Sequence, residues 1–257
     1  MDCPTSHPEQ YLANLYEGLG SQRNDFRDRN LHLWIAARVV GECVLDVGCG
    51  NGALLALLEQ GGKRAFGVEP NRALRDLAAA RHPGLTILAE TGAGLHRFGR
   101  RFDTVTMIDV LEHIEGDVAQ LREIFGVLQA GGRLVVVVPA CPALYGKRDK
   151  NNGHFRRYTM SDLVGKLTRC GFHIRCIRHW NALGFLPYWV SERIFRRELN
   201  TRLRTDRAHS LAGRLLVSLL HGWFRHVENR RGFGFGLSLL CVADKPPADE
   251  VPLPRAA

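Results

Sequence analysis

At 257 residues, with 45% hydrophobic and 24% charged side chains, the chain is long enough for one large domain with insertions but short for two independent cores. Its seven Cys, at 3, 43, 49, 141, 170, 176 and 241, show neither a CxxC pair nor ligand-like spacing, which argues against a disulfide framework and for reduced thiols. The net charge of +9 is uneven: residues 1–140 carry 14 Lys and Arg against 17 Asp and Glu, while residues 141–257 carry 21 against 9.

The N-terminus lacks the basic start and apolar stretch of a signal peptide, and no apolar run approaches the ~20 residues of a membrane span, so a cytoplasmic protein is expected. Residues 1–40 are expected to form an N-terminal helical region. Within it, Tyr11, Leu12, Leu15 and Tyr16 make one amphipathic turn that packs on the domain or covers a cofactor. Leu31, Leu33, Trp34, Ala37 and Val40 give residues 25–40 a helical period, with Trp34 as a core residue.

A core domain over 41–182 opens with Val44-Leu-Asp-Val-Gly-Cys-Gly-Asn-Gly52, read as a strand turning sharply into a helix at Ala53. Glycines there let the backbone turn tightly and let a ligand come against its amides. Gly48-x-Gly50-x-x-Ala53 also satisfies the loose dinucleotide pattern. Asp46 discriminates, because a carboxylate at the strand end repels a pyrophosphate but suits a cationic amino group such as that of S-adenosylmethionine (SAM).

Ala65–Val68 is the second strand, ending at Glu69, about 20 residues beyond the glycine loop, where a carboxylate can accept hydrogen bonds from both ribose hydroxyls. A helix over Arg72–Arg81 and strands over Leu85–Leu88 and Thr104–Ile108 follow, and Asp109-Val-Leu-Glu-His113 sits at the open end of the last of these. A helix from Asp117 to Leu128 is broken by a turn at Ala130–Gly132. The almost wholly apolar strand Arg133–Val138 comes next, as expected where both sheet faces are covered, and Pro139 ends it.

Leu45-Asp-Val-Gly-Cys-Gly-Asn-Gly52 resembles the first motif of the class I SAM-dependent methyltransferases. Gly67-Val-Glu-Pro-Asn71 resembles their second motif, Phe102-Asp-Thr-Val-Thr-Met-Ile-Asp-Val-Leu-Glu-His-Ile114 their fourth, and Leu128-Gln-Ala-Gly-Gly-Arg-Leu-Val135 the approach to their fifth strand. The resemblance covers roughly residues 30–180 and leans toward bacterial small-molecule and ubiquinone-type O-methyltransferases. It implies an α/β, Rossmann-like fold: a seven-stranded, mostly parallel sheet with a helical insertion before the last strand. It also implies SAM as cofactor, held by Asp46, Gly48, Gly50, Gly52, Glu69 and Pro70, with Ile108 and Asp109 on the sulfonium side. Glu90 or Thr91 falls where the family places an acid on the adenine amino group, although Gly92-Ala-Gly94 departs from the common pattern.

Residues 140–158 are too polar and Gly-containing for a core element and form a functional-looking loop over the crevice in which open α/β sheets bind ligands. His154, Arg156, Arg157 and Tyr158 therefore face the substrate side. The two arginines either clamp an acidic substrate group or pair with Asp149, Asp162 or Glu112 and order the loop. A helix over Thr159–Cys170, capped by Thr159 or Ser161, leads to a strand over His173–Trp180.

Residues 183–232 form a cap insertion with apolar blocks at Leu183–Val190 and Leu211–Phe224 and ten Arg between 193 and 231. That composition suits an interfacial helix on anionic lipid, and equally an amphipathic helix packed on the sheet. A last core strand lies within 233–245, over Gly236–Ala243, antiparallel by the resemblance, and the Pro-rich stretch 246–257 is expected to be disordered.

Methyl transfer needs an in-line approach, a deprotonated nucleophile and exclusion of water. His113 is the candidate general base, or else a residue that holds the helix start, and His154 and Tyr158 complete the catalytic set. Asp109, Glu112, His113 and His154 together resemble the site of metal-dependent O-methyltransferases of ubiquinone synthesis and of small-RNA ends. Because Glu-His after the fourth strand also occurs in metal-free relatives, no residue is assigned to a metal.

The reading is an enzyme that moves a methyl group from SAM to a small or lipid-linked acceptor, at oxygen, with an anionic group on the acceptor and peripheral membrane contact. The alternatives are an RNA methyltransferase, to which the basic C-terminal part is suited but for which no RNA-binding module is evident, and a noncatalytic SAM-binding or membrane-associated partner. A dehydrogenase is disfavoured by Asp46 and the third glycine.

Overall fold

The computed structural model describes residues 26–191 and 211–248. The turn expected at Tyr11–Tyr16, the middle of the insertion and the tail from 249 onward lie outside the described residues.

Helix α1 (Phe26–Ala36) precedes strand β1 (Cys43–Val47), α2 (Ala53–Gln60), β2 (Arg64–Val68), α3 (Arg72–Arg81), β3 (Thr86–Leu88) and β4 (Phe102–Ile108). Then come α4 (Asp117–Val127), β5 (Leu128–Pro139), α5 (Lys147–Asn151), α6 (Met160–Arg169), β6 (His173–Trp180), α7 (Phe185–Trp189), α8 (Leu211–Trp223) and β7 (Ser238–Asp244). The strands form one sheet in the order β3-β2-β1-β4-β5-β7-β6, parallel except for β7, which runs antiparallel to both β5 and β6.

The apolar run of β5 explains the layering. Successive side chains point to opposite faces, so Leu134, Val136 and Val138 pack with Leu121, Ile124, Leu163 and Leu167 of α4 and α6. Val135 and Val137 pack on the other face with Leu31, Trp34 and Ile35 of α1 and Leu54 and Leu55 of α2. With β2 on one side of β1 and β4 on the other, the chain reverses direction across the sheet there. The carboxyl ends of β1 and β4 thus border the crevice where such sheets bind ligands.

Three expectations change. Helix α1 stops at Ala36, short of Val40, whose N–H donates to the Thr104 hydroxyl at 2.9 Å and so joins the chain to the edge of β4. Ala130–Gly132 is not a turn between helix and strand but a bulge inside β5: the β4–β5 register slips between Phe102 and Thr104, and Gly131 takes φ 76°. Lys245 closes that bulge, accepting from Gly131 N–H at 3.1 Å and donating to Gly132 O at 2.8 Å. Third, the polar stretch 140–158 contains α5 and buries Leu144, Asp149, Arg157 and Tyr158, because its charged groups satisfy one another away from water.

Candidate active site

The cofactor side is built by backbone. Gly48, Gly50 and Gly52 all take positive φ (72°, 54° and 77°), a region side chains rarely enter. A Cβ at Gly48 would collide with Val110, and one at Gly52 would stand 2.7 Å from Leu85. Glu69, at the end of β2, accepts from Gly50 N–H and from Asn71 N–H, each at 2.9 Å, and so is fixed in orientation beside the loop. Asn71 in turn caps α3, its side chain accepting from Leu74 N–H at 3.2 Å.

Asp46 is buried, and the Thr106 hydroxyl, opposite it in the β1–β4 pairing, donates to it at 2.6 Å. Burial pushes its carboxyl up to about 7, the Thr106 hydrogen bond opposing and the charge of Glu69 adding. A carboxyl this poorly solvated gains from a nearby cation, and the glycine-lined turn beside it leaves room for backbone approach. Both features fit the ammonium-bearing methionine end of SAM. Pro70 is exposed, its carbonyl taken by Arg75 at 2.7 Å. Glu90 pairs with Arg97, and Thr91 opens the 3-10 turn Gly92–Phe98.

The chemical side lies at the end of β4. Ile108 is half-buried, and Asp109 follows at φ 51° with its N–H donated to Val137 O at 3.0 Å, a turn that swings the next residues over the sheet edge. Arg27 of α1 reaches Asp109 at 3.3 Å. In the short 3-10 turn Leu111–His113, Glu112 is fully buried, and neither carboxylate oxygen has a hydrogen-bond partner among the described residues. Burial, then the charge of Asp109, pushes its carboxyl well above the usual range.

His113 and His154 meet edge to face at 4.6 Å, and His154 Nε2 stands 3.9 Å from Glu112 Oε1. One ligand atom from each of Glu112, His113 and His154 lies within 4.8 Å of the others. Burial, then the neighbouring His154, lowers His113 to about 4, so it is neutral at pH 7.

The polar loop holds His154 from behind. Asp149 lies 2.9 Å from His154 Nδ1 and accepts both contacts of Arg157 Nε, at 2.9 and 3.0 Å. Burial alone would raise Asp149; the hydrogen bonds from His154 and Arg157 outweigh it and hold the carboxyl below its ordinary value. The contact with Asp149 orients the ring so that Nε2 faces Glu112. Arg157 also donates to Ala140 O at 3.2 Å and to the Tyr188 hydroxyl at 2.6 Å, joining β5, the loop and α7.

Several expected residues are thus relocated. The arginine pair does not face an acceptor: Arg157 is buried on Asp149, and Arg156 binds Asp117 at 2.9 Å and Glu115 O at 2.8 Å. Tyr158 lies fully buried beneath the site, donating to Asp117 at 3.0 Å and Leu111 O at 3.3 Å, with burial and then Asp117 raising its phenol far above the ordinary value. His113 and His154 do come together. Glu112, Asp149, Tyr188 and Arg27 escaped the chosen site set. Asp149 was legible as a partner of Arg157, whereas nothing local marks Arg27 or Tyr188.

A family profile described as a methyltransferase domain matches residues 19–177. A probable SAM-dependent methyltransferase of Mycolicibacterium smegmatis is 28% identical over 61% of this chain and 62% of its own length. A tRNA U34 carboxymethyltransferase of Methylococcus capsulatus is 36% identical over 44% of this chain and 37% of its own length. A ubiquinone biosynthesis O-methyltransferase of Pseudomonas fluorescens is 33% identical over 39% and 47%. The chain therefore spans less than two thirds of each of these relatives. In fold, it is similar to a SAM-dependent methyltransferase of Thermotoga maritima, a possible histamine N-methyltransferase, with a TM-score of 0.59 and 15% identity over 93% of this chain and 100% of that one.

Proposed function

The chain belongs to the methyltransferase domain family, among the class I SAM-dependent methyltransferases, and from that membership we propose that it transfers a methyl group from SAM to the hydroxyl oxygen of a small or lipid-linked acceptor. SAM supplies an electrophilic methyl on a positively charged sulfur. Asp46 and the glycine turn would hold its amino-acid end, Glu69 its ribose, and Ile108 and Asp109 would border the sulfonium at the end of β4.

The observation that carries the oxygen reading is the buried Glu112 carboxyl, without a hydrogen-bond partner among the described residues, beside His113 and His154. With His113 depressed to about 4, an imidazole base alone is weak toward an alcohol, so the acceptor hydroxyl needs a lower pKa. Glu112, His113 and His154 would hold a divalent cation, and such an ion lowers the pKa of a bound hydroxyl and orients it. Two imidazoles and one carboxylate favour Mn2+, Co2+ or Zn2+ over Mg2+. Asp149 orients the His154 ring as this requires.

The test uses methyl-labelled SAM, the full chain and a cell extract, with and without exhaustive chelation. Label is expected in the lipid-soluble fraction, lost on chelation and restored by Mn2+ or Zn2+. Label in RNA would replace the acceptor class, and undiminished transfer after chelation would return the chemistry to His113 alone.

A further inference from the structure

Helix α8 presents leucine where a solvated helix presents charge. Leu211, Leu215 and Leu219 recur every four residues along one side and are 78%, 67% and 71% exposed. The opposite side carries the packing: Gly213 is buried, His221 lies 2.9 Å from Asn30 of α1, and Phe26 stacks near both His221 and Phe224. The helix is therefore seated on the domain by one face, and its outward apolar stripe is the departure that calls for explanation.

The end of α8 is tied to the start of α7. Buried Glu228, in the π-helical turn Phe224–Glu228, accepts from Asn181 N–H at 3.0 Å, Leu183 N–H at 3.1 Å and Trp223 Nε1 at 3.2 Å, binding the end of α8 to the entry of α7. Phe235 packs on Phe185 at 5.4 Å. Helix α7 turns Tyr188 inward onto Arg157 and leaves Leu186 and Trp189 exposed. Exposed apolar side chains thus stand on both α8 and α7, and α7 reaches through Tyr188 to the polar joint that holds His154.

The exposed charge of this segment has one sign. Arg214, Arg225, Arg230 and Arg231 are exposed, and the one acid between 211 and 235, Glu228, is buried. We propose that α7 and α8 dock this chain on an anionic lipid bilayer, leucine and tryptophan entering the acyl boundary and the arginines meeting headgroups, so that a lipid-linked acceptor reaches the site from the membrane. The proposal rests on, and deepens, the acceptor reading above.

A second copy of the chain fits less well, because a twofold contact through this face would bring the same arginines together. An RNA backbone would match the arginines but not the leucine stripe. No helix among the described residues is long and apolar enough to cross a membrane, so α8 lies on the surface rather than spanning it.

The experiment is co-sedimentation of the full chain with mixed phosphatidylglycerol–phosphatidylcholine vesicles and with pure phosphatidylcholine vesicles, with SAM affinity measured on the same preparations. Wild type is expected to bind the anionic vesicles, and the Leu215→Glu/Leu219→Glu variant to lose at least about 100-fold in vesicle affinity. Arg230→Gln/Arg231→Gln is expected to lose about tenfold, and both variants to keep SAM affinity. No binding to either vesicle, unchanged binding by both variants, or a dimer that Leu215→Glu/Leu219→Glu dissociates would overturn the proposal. Absence of SAM binding in wild type would instead count against the cofactor reading and leave the vesicle result to stand by itself.

Discussion

Two loops leave the carboxyl edge of this sheet close together, one after β1 and one after β5. In the first, glycines at φ 72°, 54° and 77° turn the chain sharply beside a buried carboxyl, with the Gly48 and Gly50 amides bonded to Val68 O and Glu69. In the second, Arg157 pairs with Asp149, which holds His154, and Arg156 reaches out to Asp117 of α4. The first loop is shaped to receive; the second is a brace. Polar residues over a crevice are therefore not in themselves ligand contacts, and what separates the two cases is counter-charge: Asp149 and Asp117 each face a guanidinium, whereas Asp46 is held by the Thr106 hydroxyl.

Glu112 has no hydrogen-bond partner among the described residues, and it yields the largest expected effect. Glu112→Gln keeps the volume and removes the acid that would bind a cation as carboxylate, so SAM affinity should hold while kcat for methyl transfer falls about 1000-fold and metal dependence disappears. Normal turnover in this variant would reduce Glu112 to a structural residue. On the receiving side, Gly52→Ala puts a Cβ at φ 77° and 2.7 Å from Leu85. Strain of about 1–3 kcal/mol should lower thermal stability, and SAM affinity should fall about 100-fold. Unchanged SAM affinity in the Ala variant would mean that the turn does not receive the cofactor.

The glycine turn was legible because its determinants are local. Gly48, Gly50 and Gly52 stand in one short run, and the strands around them alternate or run apolar as buried strands must. The brace was legible only in part: Asp149 stood among the candidate partners of the arginine pair, but the other pairings are distant, since Arg157 also meets Tyr188 of the insertion, Arg156 meets Asp117, and Arg27 of α1 reaches Asp109. An arginine's sequence neighbours do not say whether its guanidinium meets solvent, substrate or a buried carboxylate. The same limit hid the β5 bulge, whose Gly131 is closed by Lys245 from the far end of the chain.

The receiving loop also titrates. Asp46 stands at about 7 against an ordinary 3.8, so its neutral form is favoured in the folded, ligand-free protein. The stability this gives is complete below about 3.8 and is lost as pH rises through 7. A cationic ligand prefers the ionised form, so the sign for binding is opposite: SAM affinity should rise about tenfold from pH 6 to pH 8. Asp46→Asn should flatten that rise, and its melting temperature should exceed that of wild type above pH 7 but not near pH 4. Calorimetry of both proteins across this range checks both signs.

The smallest effect is expected at Arg156, and it tests the brace most directly. Its guanidinium holds Asp117, which Lys166 at 2.7 Å and Tyr158 at 3.0 Å also hold, so Arg156→Ala leaves that carboxylate with two partners. The loss should be about 1 kcal/mol of stability, because Arg156 is itself partly exposed and screened. Acceptor KM and kcat should change by less than about twofold. If KM instead rose tenfold with stability unchanged, Arg156 would be gripping the acceptor. The polar loop would then be a receiving surface like the glycine loop, and the contrast between the two would be one of chemistry only.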